Sequence, residues 1–276
     1  MICKLLGTGS AEGIPALFCR CDICREAIEL GGRNIRGRSC MKINDSILID
    51  FPPDMLSYKV RYGLDLAAIS HIFFTHSHLD HLTAGELCYY HSSYADRQSP
   101  DSILNVYGNS KVLEVVTSAF YFDMHHMPDC VALHPLKAFS TVETDGVRVT
   151  PLPAEHDSNE ECFYYLLQQQ SSAVLLANDS AELLDEVYRY LADVRLDAVI
   201  LDCTGGKLTP RAWPHMCFAD NLAVMARLKE QGSADNDTTF ISHHFSHNGL
   251  VNYDDFAKLA GNSGFVSSYD GMELLL

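Results

Sequence analysis

Along the chain, short apolar or β-branched runs alternate with stretches in which apolar residues recur every three or four positions. The first kind of run is typical of strands covered on both faces and the second of helices lying on a sheet, so the rhythm predicts an α/β fold. Six candidate strands share a further property, in that each ends on an acid or a histidine. Residues 46–49 stop at Asp50, 72–75 at His76, 149–154 at Glu155 and His156, 173–178 at Asp179, 198–201 at Asp202, and 238–242 at His243 and His244. Such a residue emerges at the sheet rim, where loops can gather ligands from distant parts of the chain. Taken singly, an acid after a strand can also do no more than open a turn, and for Asp50 and Asp202 that reading stands beside the functional one.

The helical pattern is clearest over 181–193, with Leu183, Leu184, Val187, Tyr188 and Leu191 on one face, and over 218–231, with Leu222, Met225, Ala226 and Leu228. A further helix is predicted over 82–90. The polar stretch 92–100 reads as a loop, and 120–135, mixing Tyr, Phe, Met and His, as an irregular cover over a pocket. Residues 1–276 are therefore expected to form one domain, with 92–135 as a variable cover.

Composition narrows the setting. Apolar residues at 47% and charged residues at 20% are ordinary for a folded protein. There is neither a basic leader nor a run of roughly 18 apolar residues, so a cytoplasmic protein without a membrane partner is expected. The net charge of −16, with no run of Lys or Arg, disfavours long nucleic acids, although bound divalent cations would offset part of it.

The densest chemistry lies in His76-Ser77-His78-Leu79-Asp80-His81. Two histidines two apart leave a strand on the same side, and Asp80 and His81 follow where the helix over 82–90 can begin. Four donors this close cannot all point at one ion. A metal takes about four to six donors, so the cluster predicts two neighbouring ions sharing a bridging carboxylate. His156, Asp179 and His244, each at a strand end, are the natural completions. A chance gathering of the chain's 13 histidines on a solvated loop accounts poorly for this spacing directly after an apolar strand. His71, His91, His125, His126 and His134 lack such a context and are read as ordinary surface or hydrogen-bonded histidines.

A second cluster, Cys19-Arg20-Cys21-Asp22-Ile23-Cys24, places three thiols where they can wrap a small ion. In a reducing compartment that spacing favours ligands over disulfides, and thiolates select zinc or iron–sulfur. A closed tetrahedral zinc site needs a fourth ligand, either Cys40 or a distant histidine, and His247 is preferred, three residues beyond His244. Inert buried thiols are the alternative.

The run from His76 to His81 is the His-x-His-x-Asp-His hallmark of the metallo-β-lactamase superfamily, which this sequence resembles. The resemblance implies an αββα sandwich, two mixed sheets flanked by helices with the metals at one edge. It also implies a first metal on His76, His78, His156 and Asp179, and a second on Asp80, His81, Asp179 and His244. Within that superfamily the chain is similar to the phosphoribosyl cyclic phosphate phosphodiesterases of the carbon–phosphorus lyase pathway. The likeness runs through Gly7-Thr8-Gly9 and the cysteines, 46–50, the hallmark, 150–156, Asp179, Leu201-Asp202-Cys203, His215, 244–247 and Tyr269-Asp270-Gly271-Met272-Glu273. It implies a structural zinc on Cys19, Cys21, Cys24 and His247, places His215 near the reacting group, and by analogy suggests a homodimer. The chain departs at Cys217, where relatives often carry a Ser or Thr helix cap, and across 92–135, which leaves the substrate open.

These features together imply a phosphoric diester hydrolase acting on a small phosphodiester such as a cyclic ribosyl phosphate. Two divalent ions, manganese, zinc or iron(II), would activate a water that Asp80 orients, while His215 would give a proton to the leaving alkoxide. For His215 the alternative is a helix-capping or pocket-lining role. Competing readings of the whole are a lactone or thioester hydrolase, an RNA-processing phosphodiesterase, and a non-catalytic metal-binding accessory protein. The RNA reading would need a basic docking surface that the sequence does not offer.

Overall fold

The computed structural model describes residues 1–97, 99, 101–208 and 214–276. Six strands form most of a first sheet: β1 (Ile2–Gly7), β2 (Cys40–Ile43), β3 (Ile47–Ile49), β4 (His71–Phe73), β5 (Leu104–Gly108) and β6 (Val131–Pro135). Seven form a second: β7 (Val142–Thr144), β8 (Val147–Ala154), β9 (Cys162–Gln169), β10 (Ser172–Ala177), β11 (Ala198–Asp202), β12 (Thr239–His243) and β13 (Phe265–Ser267). The last strand, β14 (Met272–Leu275), returns to the free edge of β1. The sheet orders are β14-β1-β2-β3-β4-β5-β6 and β13-β12-β11-β10-β9-β8-β7. Both are mixed. Pairing is parallel from β3 through β6 and from β10 through β13, and antiparallel elsewhere.

Because side chains alternate across a strand, each strand supplies two packing faces. Leu5, Met41, Ile43, Ile47, Ile49 and Phe73 meet Val149, Phe163, Leu167, Val174, Leu176 and Ile200 between the sheets. The outer face of the first sheet, with Leu6, Leu48, Ile72 and Phe74, lies beneath helices α2 (Met55–Tyr62), α3 (Ala84–Leu87) and α4 (Ser110–Met124). The outer face of the second, with Leu175, Ala177, Val199 and Leu201, is covered by α5 (Asp185–Leu191), α6 (Phe218–Glu230) and α7 (Tyr253–Gly261). Ala27 of α1 (Asp22–Leu30) joins that outer layer. This is the α/β sandwich of two mixed sheets that the sequence led us to expect. Among the described residues no helix is long and apolar enough to cross a membrane.

Two expectations are corrected. Residues 120–135 are not an irregular cover: Phe120 is fully buried within α4, and 131–135 form the edge strand β6, paired residue by residue with β5. The β5–α4–β6 unit is a parallel crossover, so from residue 104 onward the expected 92–135 cover is part of the sandwich. In 92–100 the described residues form turns and irregular chain, and positions 98 and 100 lie outside the described residues. The helix expected over 181–193 begins only at Asp185. Ala181 is tied down instead, its N–H donating to the Glu155 carbonyl at 3.2 Å and its carbonyl accepting from the Tyr164 hydroxyl at 2.6 Å, which holds the chain after β10 open at the sheet rim.

One glycine makes a sharp test of the packing beneath β1. A Cβ on Gly7 would fall 2.0 Å from both the Arg38 carbonyl oxygen and the Tyr58 hydroxyl, which are themselves hydrogen-bonded at 2.6 Å. Gly7→Ala is expected to cost about 3 kcal/mol, the upper end of overpacking penalties. Urea denaturation would read this as a lowered midpoint, and an unchanged midpoint would show that the pair gives way freely.

Candidate metal centre

The parallel strands of both sheets bring their C-terminal ends to one rim, and there the chain turns sharply. Asp50, Asp179 and His244, following β3, β10 and β12, have φ values of 66°, 54° and 58°. This left-handed region costs a residue with a side chain about 1–2 kcal/mol, so packing must hold all three in place. The turns aim the side chains into a common space. One oxygen or nitrogen from each of His76, His78, His156 and Asp179 lies within 4.8 Å of the others, and the same holds for Asp80, His81, Asp179 and His244.

Asp179 belongs to both groups. Its Oδ2 is 3.2 Å from His76 Nε2, 2.9 Å from His81 Nε2 and 3.4 Å from His156 Nε2. Despite this proximity, the buried Nε2 atoms of His76, His81 and His244 have no partner in hydrogen-bond geometry. A buried polar atom left unpaired costs roughly 1–3 kcal/mol, so three of them, two facing Asp179 and that of His244 lying 3.9 Å from Asp80, need an explanation.

The opposite ring nitrogens are well served. His81 Nδ1 lies 2.6 Å from Asp50 Oδ2, and Asp50 in turn accepts the Thr75 backbone N–H at 2.8 Å and its hydroxyl at 3.1 Å. His76 Nδ1 is 3.0 Å from the same hydroxyl oxygen. On the other sheet, His244 Nδ1 lies 2.9 Å from Thr204 Oγ1 and 3.3 Å from Asp202 Oδ2. Asp202 also accepts the N–H groups of Thr204 and Met216 and lies 3.2 Å from His215 Nδ1. An N–H held at Nδ1 leaves the lone pair on Nε2, turned toward the shared space. His78 is mounted the other way round, with Nε2 3.1 Å from Asp157 Oδ2 and Nδ1 facing the centre 3.1 Å from His156 Nε2.

Asp50 and Asp202 thus do more than open turns, since each orients histidines. Thr75, Thr204 and Asp157 escaped the sequence reading, although each stands within two residues of a nominated position. Cys40 is remote from the other three thiols, its Sγ donating to the Asp50 carbonyl at 3.4 Å. His71 and His134 are ordinary hydrogen-bonded histidines, on Tyr107 and Thr144 and on Asn105.

Electrostatics follow from this packing. Burial alone would raise the Asp179 carboxyl, but His244, His76 and His81 hold it well below the usual range, and Asp80 is lowered by His81 against the same burial. His81 is buried too, yet Asp80 and Asp50 raise it well above an ordinary histidine. His156 is pushed down to about 4 by burial. His215 goes the other way: Asp202, Asp179 and Asp80 outweigh its burial and raise it to about 9. The centre therefore favours positive charge among its carboxylates, whether carried by protons or by cations that displace them.

The space above these groups is a cavity of about 260 Å³, lined by His78, Asp80, His156, Asp179, His215 and His244 on one side. Ser10, Ala11, Glu12, Ser246 and Asn248 form the other side, and they flank the cysteine cluster. Cys19 Sγ and Cys21 Sγ lie 3.4 and 3.3 Å from His247 Nδ1, with Cys24 completing the group. Cys21 caps α1, taking the Cys24 N–H at 3.5 Å, and Cys24 Sγ takes the Ala16 N–H at 3.3 Å. Three thiols and one imidazole at this spacing match a tetrahedral zinc donor set.

The fold has known counterparts. The crystal structure of a new diphosphatase from the PhnP family superposes with a TM-score of 0.76 at 22% identity, covering 100% of this chain and 97% of that one. Zinc-bound PqqB from Methylobacterium extorquens gives 0.75 at 16% identity, covering 100% of both chains. In sequence, an octanoyltransferase of Porphyromonas gingivalis (strain ATCC BAA-308 / W83) is 31% identical over 112 residues, which span 37% of this chain and 22% of that protein. The beta-lactamase superfamily domain matches residues 46–243, from β3 through β12 and so across both sheets and the whole histidine and aspartate centre except His244, one residue beyond its end, and the chain belongs to that superfamily.

Proposed function

We propose that the histidine and aspartate centre binds two divalent metal ions and hydrolyses a small phosphodiester. One observation carries the reading: the buried Nε2 atoms of His76, His81 and His244 are unpartnered, the first two facing Asp179 and the third 3.9 Å from Asp80. His76, His78, His156 and Asp179 would hold one ion, and Asp80, His81, Asp179 and His244 the other. Imidazoles and carboxylates without a thiolate suit manganese, zinc or iron(II). Cys19, Cys21, Cys24 and His247 would hold a separate zinc that fixes the far wall of the cavity.

When bound, a metal pair of this kind activates water and stabilises charge on phosphoryl oxygens. The chain's own residues do the rest. Asp179 sets the spacing of the two positions, and Asp80, lining the cavity, would orient the attacking water by accepting a hydrogen bond. His215, its Nδ1 beside Asp202, would pass a proton to the departing alkoxide through Nε2.

Two features favour a phosphodiester over a carbonyl substrate: the thiolate site beside the cavity and a fold shared end to end with a PhnP-family diphosphatase. The cavity falls below the roughly 300–1,000 Å³ of common ligand pockets, which suits a small substrate. No Lys or Arg lines it among the described residues, which with a net charge of −16 weighs against a long polyanion. Metal-reconstituted protein assayed on bis-p-nitrophenyl phosphate beside a lactone panel is expected to favour the phosphodiester by at least about 100-fold, or 2.7 kcal/mol of barrier. Preferential lactone turnover would overturn the substrate class.

A further inference from the structure

We infer that Asp157 is a positioning residue that fixes His78 and thereby governs one of the two metal positions selectively; the inference rests on the two-ion reading above. Among the histidines grouped around Asp179, His78 is the odd one. Its side chain is 43% exposed, whereas those of His76, His81, His156 and His244 are at most 8% exposed. Packing fixes the buried four. It cannot fix an imidazole with nearly half its surface in water, which needs a specific partner to select both rotamer and tautomer.

The chain supplies that partner from the residue directly after His156. Asp157 Oδ2 lies 3.1 Å from His78 Nε2, while its Oδ1 is pinned by the Asn159 N–H at 2.9 Å and the Asn159 side-chain amide at 2.7 Å. An imidazole donating Nε2–H to this carboxylate presents the Nδ1 lone pair to the centre. Three residues on, Glu160 accepts the Ser77 N–H at 3.0 Å, the Ser77 hydroxyl at 2.7 Å and the Asn109 amide at 2.7 Å. Asn109 is itself anchored as the cap of α4, accepting the Val112 N–H at 2.8 Å.

Residues 157–160 therefore reach back from His156 and clasp Ser77 and His78. The loop joins ligands of one metal position, His78 and His156, and its hydrogen bonds make no contact with Asp80, His81 or His244. Its loss should be felt at that position alone. A carboxylate behind a ligating histidine is commonly worth 10–100-fold in metal affinity, so about that effect is expected here.

The test is zinc titration of the chelator-stripped full-length chain as wild type, Asp157→Ala and Asp157→Asn. Wild type should take up two equivalents beyond the thiolate-bound one. Asp157→Ala should weaken one of these two by about 10–100-fold and leave the other and the thiolate equivalent unchanged. Asp157→Asn, which keeps an acceptor oxygen and the side-chain shape, should show a smaller shift of the same kind. Nitrogen-15 NMR of the metal-free protein adds a readout that a merely structural role would not move: His78 should be the Nε2–H tautomer in wild type and a mixture in Asp157→Ala. Equal weakening of all equivalents, or none with an unchanged tautomer, would overturn the role of Asp157 alone. Wild-type protein binding fewer than two equivalents beyond the thiolate site would overturn the two-ion reading and this inference with it.

Discussion

Replacing Asp179 by asparagine is expected to empty both positions of the histidine and aspartate centre at once. Its Oδ2 sits among His76, His81 and His156, and its Oδ1 lies 3.8 Å from His244 Nδ1, so among the described residues it is the side chain common to both donor groups. Asparagine is the informative substitute because it tolerates the φ of 54° at this residue, whereas alanine would add backbone strain of its own. Metal bound at the centre should fall by well over the roughly 100-fold that loss of an outer partner costs, with phosphodiester turnover falling in step. Zinc on Cys19, Cys21, Cys24 and His247 should persist. Metal analysis by mass spectrometry reads both, and loss of only one equivalent would show that Asp179 does not bridge.

The second large effect is expected from His215→Ala, and its size should depend on the leaving group. His215 lines the cavity and stands 3.2 Å from Asp202 and 3.4 Å from Asp179, which favour its protonated form. A positioned general acid contributes roughly 10²–10⁴-fold where the departing oxygen needs a proton. With an alkyl or cyclic phosphodiester, turnover should therefore fall within that range while metal content is unchanged. With bis-p-nitrophenyl phosphate, whose phenolate leaves without a proton, the loss should be much smaller. Equal losses on both substrates would make His215 a pocket-lining residue.

Much of this centre was legible in the sequence because its candidate donors stand at or just beyond the ends of apolar strands. Strand ends in a mixed sandwich converge on one rim, so the endings at His76, Asp179 and His244 already implied proximity. What the periodicity hid has physical causes. Strand β6 at the sheet edge and the end of α4 in the helical layer over that sheet are both half in water, so their mix of His, aromatic and Met residues lacks the uniform apolar look of β10 or β11. The start of α5 was misplaced because Leu183 and Leu184 fit a helical face, yet the backbone before them is spent on tertiary hydrogen bonds to Glu155 and Tyr164. Residues that orient the histidines were the hardest to see. Thr75, Asp157 and Thr204 follow no periodic rule, and only three-dimensional contact separates them from other polar residues at turns.

Anomalous diffraction from crystals grown with zinc, recorded on both sides of the zinc edge, tests the two-ion centre most directly. The account predicts two peaks about 3.5–4 Å apart flanking Asp179, one among His76, His78 and His156 and the other among Asp80, His81 and His244, with a further peak within Cys19, Cys21, Cys24 and His247. A single peak beside Asp179, or none there while the thiolate site is filled, would contradict it.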